Sequence, residues 1–391
     1  MKAFDLVTLL AVAPAAVAGW TWSEAKGKSI TFTSVPGFFV QDDAATDPSG
    51  FDYATVNFGL INRTYPTDKR FDAAGKKTQW QRFEAYVKSL NSRCHKGPNV
   101  QYKVLFMGRH GEGWHNAAES FYGTPAWNCY WAEREGNGTA KWADALLTPA
   151  GEREAYKANA YFKDRYATQK MPYFESYYAS PLSRCTITAN LTFADIDVPA
   201  DRPFLPTVKE GFREGMTVHT CNRRSSKTYI SSMFPTYRFE PAFTETDHLW
   251  RANESETDAA FAVRAKAVLD DVFASDPKTW LSITAHSGAI TRLLAALNHR
   301  PFRLATGQII PVLVKAEVVD LQPTPAFEAH EPYSTCDAPP LASVAGQGCV
   351  CPTMTMMTST ATTVVPTATA TTTTSEGPEP TESEPAECVE E

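Results

Sequence analysis

Apolar residues along the chain fall into two alternating rhythms. Val104-Leu-Phe-Met107 is an unbroken apolar run, the pattern of a strand covered on both faces. Phe174 to Ala179, Trp280 to Ala285 and Ile309 to Val319 read as further strands. Between them lie stretches with helical spacing. Thr148-Pro149 supplies an N-cap and a first-turn proline, opening a helix through about Tyr166. Ser180-Pro181 starts another. Ser255 is placed to cap a third, whose positions Phe261, Ala265, Val268, Leu269, Val272 and Phe273 fall on one face. A last helix carries Ile290, Leu293, Leu294 and Leu297. This alternation between roughly Ser29 and Asp320, with no internal repeat, predicts an α/β fold. In such a sheet ligands bind beyond the carboxyl ends of the strands.

Both ends of the chain depart from that pattern. Met1 to Ala18 has Lys2 ahead of an apolar run that closes on Ala16-Val17-Ala18, the form of a cleaved secretory signal. Pro14 interrupts the run, and no stretch reaches the ~20 apolar residues of a membrane helix, so stable membrane insertion is not expected. From about Thr353 the chain consists of Thr, Ser, Pro, Ala and Glu, with almost nothing to bury, and is expected to be disordered. Pro323 to Pro352 reads as a Cys-containing, loop-rich collar leading into that tail. A secreted or cell-wall-associated protein is expected, with the cytoplasm as the alternative if the N-terminal segment is not a signal. The sequons at Asn62, Asn137, Asn190 and Asn253 agree with secretion, although Asn190 falls inside an expected helix.

The 391 residues are 43% hydrophobic, which excludes a wholly disordered chain and suffices for a large core. The net charge of −7 belongs to the tail: Cys351 to Glu391 holds seven Glu and no Lys, Arg or Asp. The remainder is neutral, so no global field for nucleic acid exists. Eight cysteines suit an oxidising compartment, but their pairing is open.

Local positive charge is another matter. The strand Val104–Met107 runs directly into Gly108-Arg109-His110-Gly111-Glu112-Gly113-Trp114-His115-Asn116. The glycines are expected to let backbone N–H groups approach an anion, and Arg109 offers a planar fork to phosphate oxygens. Ser180-Pro-Leu-Ser-Arg184 places a second Arg in the first turn of a helix, where N–H donors and the helix dipole favour an anion. Ala285-His286-Ser287-Gly288 ends a third strand. Two His and two Arg converging at strand ends would make a cationic pocket suited to a dianionic phosphoryl group.

These blocks, in this order, resemble the histidine phosphatase superfamily. The closest likeness is to its phosphoglycerate-mutase-like branch, and Arg-His-Gly-Glu-Gly-x-His-Asn looks like the fungal phosphatase members. The resemblance covers about Val35 to Val319. It implies a three-layer α/β/α sandwich around a mostly parallel sheet, with residues 19–322 as the catalytic domain. It also implies a small phosphorylated metabolite as substrate, no cofactor and no metal. His110 would be the nucleophile forming a phosphohistidine. Arg109, Arg184 and His286 would hold the phosphoryl oxygens, with Asn116 adding a contact. Glu214, in Phe212-Arg213-Glu214, would be the general acid/base, with Glu210 the alternative. Thr217 and Val218 stand where relatives usually carry Gly, and Ser287-Gly288 follow His286 where many have Gly at once.

Other readings stand beside these. A phosphoglycerate-type mutase would retain a bisphosphate, and the short Asn-x-Phe-x-Gly-Trp context that helps mutases do so is replaced here by an aromatic-rich stretch from Trp127 to Trp142. A catalytically silent surface protein on a glycosylated stalk is the non-enzyme alternative. His115 is a wall residue or a substrate contact. His219, Arg223 and Arg224 are read as a solvated basic rim ahead of a pocket lining, Cys185 as core ahead of a redox switch, and Trp127, Trp131 and Trp142 as packing ahead of a lid over the substrate. The spacing His110-x-Glu112-x-x-His115 is not that of a helical zinc pair.

Overall fold

The computed structural model describes residues 27–92, 99–321, 326–340 and 351–352. The signal-like segment 1–18 and the tail from residue 353 lie outside them, as do Cys94, Cys349 and Cys388.

Among the described residues, seven strands form the central sheet: β1 (Lys28–Ser34), β2 (Val100–Arg109), β3 (Ser176–Ala179), β4 (Thr207–Val208), β5 (Arg238–Phe239), β7 (Trp280–Ala285) and β8 (Ile309–Asp320). Their order is β1-β8-β2-β7-β3-β4-β5. From β2 to β5 all neighbours are parallel, whereas β8 is antiparallel to both β1 and β2. β6 (Glu254–Glu256) and β9 (His330–Pro332) form a separate antiparallel pair. The helices are α1 (Asp68–Phe71), α2 (Gln79–Leu90), α3 (Trp114–Tyr122), α4 (Thr124–Cys129), α5 (Pro149–Asp164), α6 (Ser183–Phe193), α7 (Lys227–Met233), α8 (Asp258–Ser275) and α9 (Ser287–Ala296).

The apolar run on β2 explains the three layers. Leu105 and Met107 join one core with Val268, Leu269 and Val272 of α8 and Leu293 and Leu294 of α9. Val104 and Phe106 point the other way, into a core with Trp80 and Phe83 of α2 and Phe162 of α5. A strand clad on both faces has no polar side, and each such side chain contributes about 1.5–3 kcal/mol on burial.

Most predicted boundaries hold. The Thr148 hydroxyl accepts the Gly151 N–H at 3.2 Å, capping α5. Two differ. α8 is capped by Thr257, whose Oγ1 accepts the Ala260 N–H at 3.1 Å, while Ser255 is buried within β6. α6 begins at Ser183 rather than at Ser180-Pro181, because Leu182 is still extended.

Two excursions cover the strand ends, residues 110–147 after β2 and 209–257 after β4. They interlock where the Thr220 hydroxyl donates to the Arg134 carbonyl at 2.7 Å and the Ser225 N–H donates to Asp144 Oδ2 at 3.0 Å. Trp127 and Trp142 pack with Ala118 and Cys221 inside this cover, and Trp131 against its side, as the packing reading expected. The expected basic rim is confined to Arg223, which pairs with Glu135 near the surface. Arg224 is buried against Glu210 at 2.6 Å, and the His219 ring lies against Trp127.

The described part of the collar folds back on this cover. β9 pairs with β6, the Tyr333 ring stands 6.1 Å from that of His219, and the Cys336 N–H donates to the Cys129 carbonyl at 2.8 Å. Cys336 is disulfide-bonded to Cys351, whereas Cys185 and Cys221 are buried free thiols.

Candidate active site

Strand register brings the distant motifs together. Arg109 at the end of β2 pairs with Ala285 at the end of β7, and the His110 N–H donates to the Ala285 carbonyl at 3.0 Å. Ala179 at the end of β3 pairs with Thr284, and the Ser180 N–H donates to the Thr284 carbonyl at 3.0 Å. Three adjacent strands thus stop at one level, and the next residues on each are His110, His286 and the turn into α6. The His110 and His286 ring centroids lie 5.0 Å apart. Arg184, on the first turn of α6, directs its Nε–H at His110 Nε2 across 3.3 Å. Its Nη1 donates to the Cys221 carbonyl at 2.7 Å, which fixes the guanidinium plane. Arg109 is anchored at one end, Nη1 donating to the Leu304 carbonyl at 2.9 Å, while its buried Nε has no partner among the described residues.

His110 Nδ1 lies 2.7 Å from the carbonyl of Gly111, which can only accept, so this nitrogen carries the proton and Nε2 the lone pair. Burial, then the Arg184 and Arg109 guanidinium charges, hold His110 well below the ordinary imidazole range. Burial and the same cations, with the neighbouring histidines, do likewise for His286 and His115. All three are neutral at physiological pH. Two fixed positive charges beside neutral imidazoles form a site for an anion with a nucleophilic nitrogen in place.

The glycines of the first motif serve a different purpose from the one expected. The Gly111 N–H is taken by Thr188 Oγ1 at 3.1 Å, and the Gly113 N–H by Asn116 Oδ1 at 3.0 Å. What requires glycine is backbone contact: a Cβ on Gly111 would stand 2.2 Å from the Gly151 carbonyl oxygen at the start of α5. Glu112 is held in the same junction, accepting from the Thr148 hydroxyl at 2.6 Å. Asn116 therefore first acts as a cap on α3.

The two candidate acids separate cleanly. Glu214 Oε2 accepts the Gly288 N–H at 3.0 Å, so the carboxylate reaches the first turn of α9, two residues past His286. Its charge acts on Arg109. Gly288 makes room for it, since a Cβ there would lie 2.2 Å from Glu214 Oε1. Thr217 does not obstruct this reach: Gly215 supplies the glycine, and Asn222 Nδ2 ties the Gly215 carbonyl and Thr217 Oγ1 together at 2.9 and 3.1 Å. Glu210 faces away, bonded to Arg224 and Arg213 at 2.6 and 3.2 Å.

The motif reading missed several positioning groups. Ser180 Oγ sits 2.8 Å from His286 Nε2, and Cys185 Sγ 3.3 Å from the same atom. Asp144 accepts from the Ser183 N–H and hydroxyl at 2.9 and 2.8 Å, steadying the turn that bears Arg184. Thr188 links Gly111 to α6 by donating to the Arg184 carbonyl at 2.7 Å. The His115 ring lies tilted beside that of His110, centroids 5.4 Å apart, with its Nδ1 buried against Gly113. Single serines and aspartates carry no spacing signal, so only the fold reveals them.

Residues 105–312 match the histidine phosphatase superfamily (branch 1). A protein of Arthroderma benhamiae named probable phosphoglycerate mutase is 49% identical over 291 residues, covering 74% of this chain and 85% of that one. A Candida albicans protein named phosphomutase-like protein 3 is 36% identical over 246 residues, covering 62% and 75%. Among solved structures, a putative α-ribazole-5′-P phosphatase of Escherichia coli overlaps 54% of this chain and 94% of its own length, at 16% identity and a TM-score of 0.33. The matched span runs from β2 into β8 and takes in every strand end described above, and on that ground the chain belongs to the histidine phosphatase superfamily.

Proposed function

We propose that the protein is a metal-independent phosphatase hydrolysing small phosphomonoesters through a phosphohistidine on His110. The observation that carries this reading is the state of His110: Nδ1–H is donated to its neighbour's carbonyl, and bare Nε2 faces Arg184. Nε2 attacks phosphorus and the P–O bond to the leaving group breaks. Arg109, Arg184 and His286, with Asn116, hold the phosphoryl oxygens as charge develops on them. Glu214, entering this step as the carboxylic acid, gives its proton to the leaving oxygen. It then takes a proton from water as that oxygen attacks phosphorus, releasing phosphate and restoring His110.

The name of the Arthroderma benhamiae relative, probable phosphoglycerate mutase, favours a second reading, a mutase that passes the phosphoryl group to another hydroxyl. The cover built around Trp127 and Trp142, in place of a short bisphosphate-holding segment, supports hydrolysis. Product analysis with a phosphoglycerate separates them: free phosphate is expected, and isomer without phosphate would overturn the hydrolase reading. Turnover of an aryl phosphate should survive EDTA and collapse in His110→Ala.

We read the protein as secreted or cell-wall associated. Asn62, Asn137 and Asn253 are exposed, as glycan acceptors must be, whereas Asn190 is half-buried within α6. N-terminal sequencing of protein from culture medium tests this. Recovery of an intact Met1 would contradict it.

A further inference from the structure

We infer that Ser180 sets the tautomer of His286, making it a neutral hydrogen-bond donor toward the phosphoryl group through Nδ1. What His286 donates to rests on the proposed phosphatase reading. The tautomer itself does not.

Ser180 is the first residue after β3 and is fully buried. Its hydroxyl oxygen accepts the Leu182 N–H at 3.4 Å and stands 2.8 Å from His286 Nε2. A hydroxyl has one hydrogen to donate, and leaving it without an acceptor in a buried place is unfavourable. Two groups lie within its reach, and of these Nε2 at 2.8 Å is the strong acceptor, the Cys185 sulfur only a weak one. Cys185 Sγ also lies 3.3 Å from Nε2, but the Ala285 carbonyl at 3.3 Å gives the thiol hydrogen an acceptor of its own. Nε2 therefore holds the lone pair, and the ring proton belongs on Nδ1. Nδ1 lies 3.8 Å from the same sulfur, a weak contact that leaves its N–H able to serve an external oxygen.

The consequence is a division of labour between two neutral imidazoles 5.0 Å apart. His110 presents a bare nitrogen, because a backbone carbonyl takes its proton. His286 presents a protonated nitrogen, because a serine hydroxyl satisfies its lone pair. With the opposite tautomer, His286 would set a lone pair against an anionic oxygen. Ser180 is thus a positioning residue acting through His286.

The test is nitrogen-15 NMR of the full-length protein labelled at histidine, with His286 assigned by the signals lost in His286→Gln. In the wild type and in Ser180→Thr, which keeps the hydroxyl, Nδ1 should be protonated and Nε2 bare. Cys185→Ala should look the same. Ser180→Ala should move proton density onto Nε2 and lower aryl phosphate turnover about tenfold or more, with Ser180→Thr recovering much of it. A bare Nδ1 in the wild type would overturn the inference, and so would an unchanged His286 spectrum in Ser180→Ala. The wild-type spectrum reads the tautomer even if Ser180→Ala fails to fold. Loss of the phosphatase reading, seen as undiminished turnover in His110→Ala, would leave that spectrum as it is.

Discussion

Arg184 Nε lies 3.3 Å from His110 Nε2, although the two residues are 74 positions apart in the chain. The guanidinium is buried and is held by the Cys221 carbonyl and by Asn222 Oδ1, at 2.7 and 3.4 Å. It is therefore preorganised for an anion placed before His110. Arg184→Ala should lower kcat about 10²–10³-fold. Arg184→Lys should recover little, because an ammonium cannot reproduce the planar fork. Steady-state kinetics on an aryl phosphate check both, and a lysine variant close to wild type would count against the clamp.

Glu214 and Gly288 form a second coupled pair. Glu214→Gln should slow turnover about 10²–10⁴-fold, most for esters with poor leaving groups. Gly288→Ala puts a methyl group where Glu214 Oε1 now lies, and should reduce activity while leaving the fold intact. A Gly288→Ala enzyme with full activity and an unchanged circular dichroism spectrum would mean that the carboxylate's position is immaterial.

Glu210 should behave in the opposite way. Arg213 and Arg224 have no side-chain exposure; Glu210 pairs with both, and Asp247 with Arg213 at 2.6 Å. Removing one partner of a buried pair typically costs about 3–5 kcal/mol, because a charge is left uncompensated. Glu210→Gln and Asp247→Asn should lower the unfolding midpoint in urea, with kcat per folded molecule little changed. A kcat loss in Glu210→Gln matching that of Glu214→Gln would reverse the assignment of the acid.

Most of the site is legible in the sequence because the carrying residues follow strands directly, and strands that are apolar on both faces are easy to recognise. Arg109 ends β2, and His110 and His286 follow β2 and β7 without an intervening loop. Glu214 is found through its Phe-Arg-Glu context, but the reason it fits lies with Gly288 and Asn222, which nothing local announces. Ser255 loses the cap of α8 to Thr257 because pairing with the collar strand β9 draws residues 254–256 into extended backbone. Arg224 looks like surface charge until Glu210 closes on it. Contacts of this kind depend on two chain excursions meeting, and neither excursion has a periodic pattern to predict its path.

Burial pushes His219 down to about 4 from the usual imidazole value near 6.5. The unfolded chain therefore takes a proton below about pH 6.5 that the folded chain refuses until about pH 4. The contribution to stability is complete above that window and is lost as pH falls through it, a few kcal/mol in all. His110, His115 and His286 act in the same direction. Thermal unfolding should thus drop steeply between pH 7 and pH 5. His219→Phe, which fills the space between Trp127 and Tyr333 without a titrating group, should drop less. Parallel curves for the two proteins would contradict this account.

The central claim is that His110 itself accepts the phosphoryl group. Rapid quenching of the enzyme during turnover of a radiolabelled phosphomonoester, followed by peptide mapping, tests it most directly. The label should be labile to acid and stable to base, sit on the peptide containing His110, and live longer in Glu214→Gln. Label on another residue, or steady turnover in His110→Ala, would contradict it.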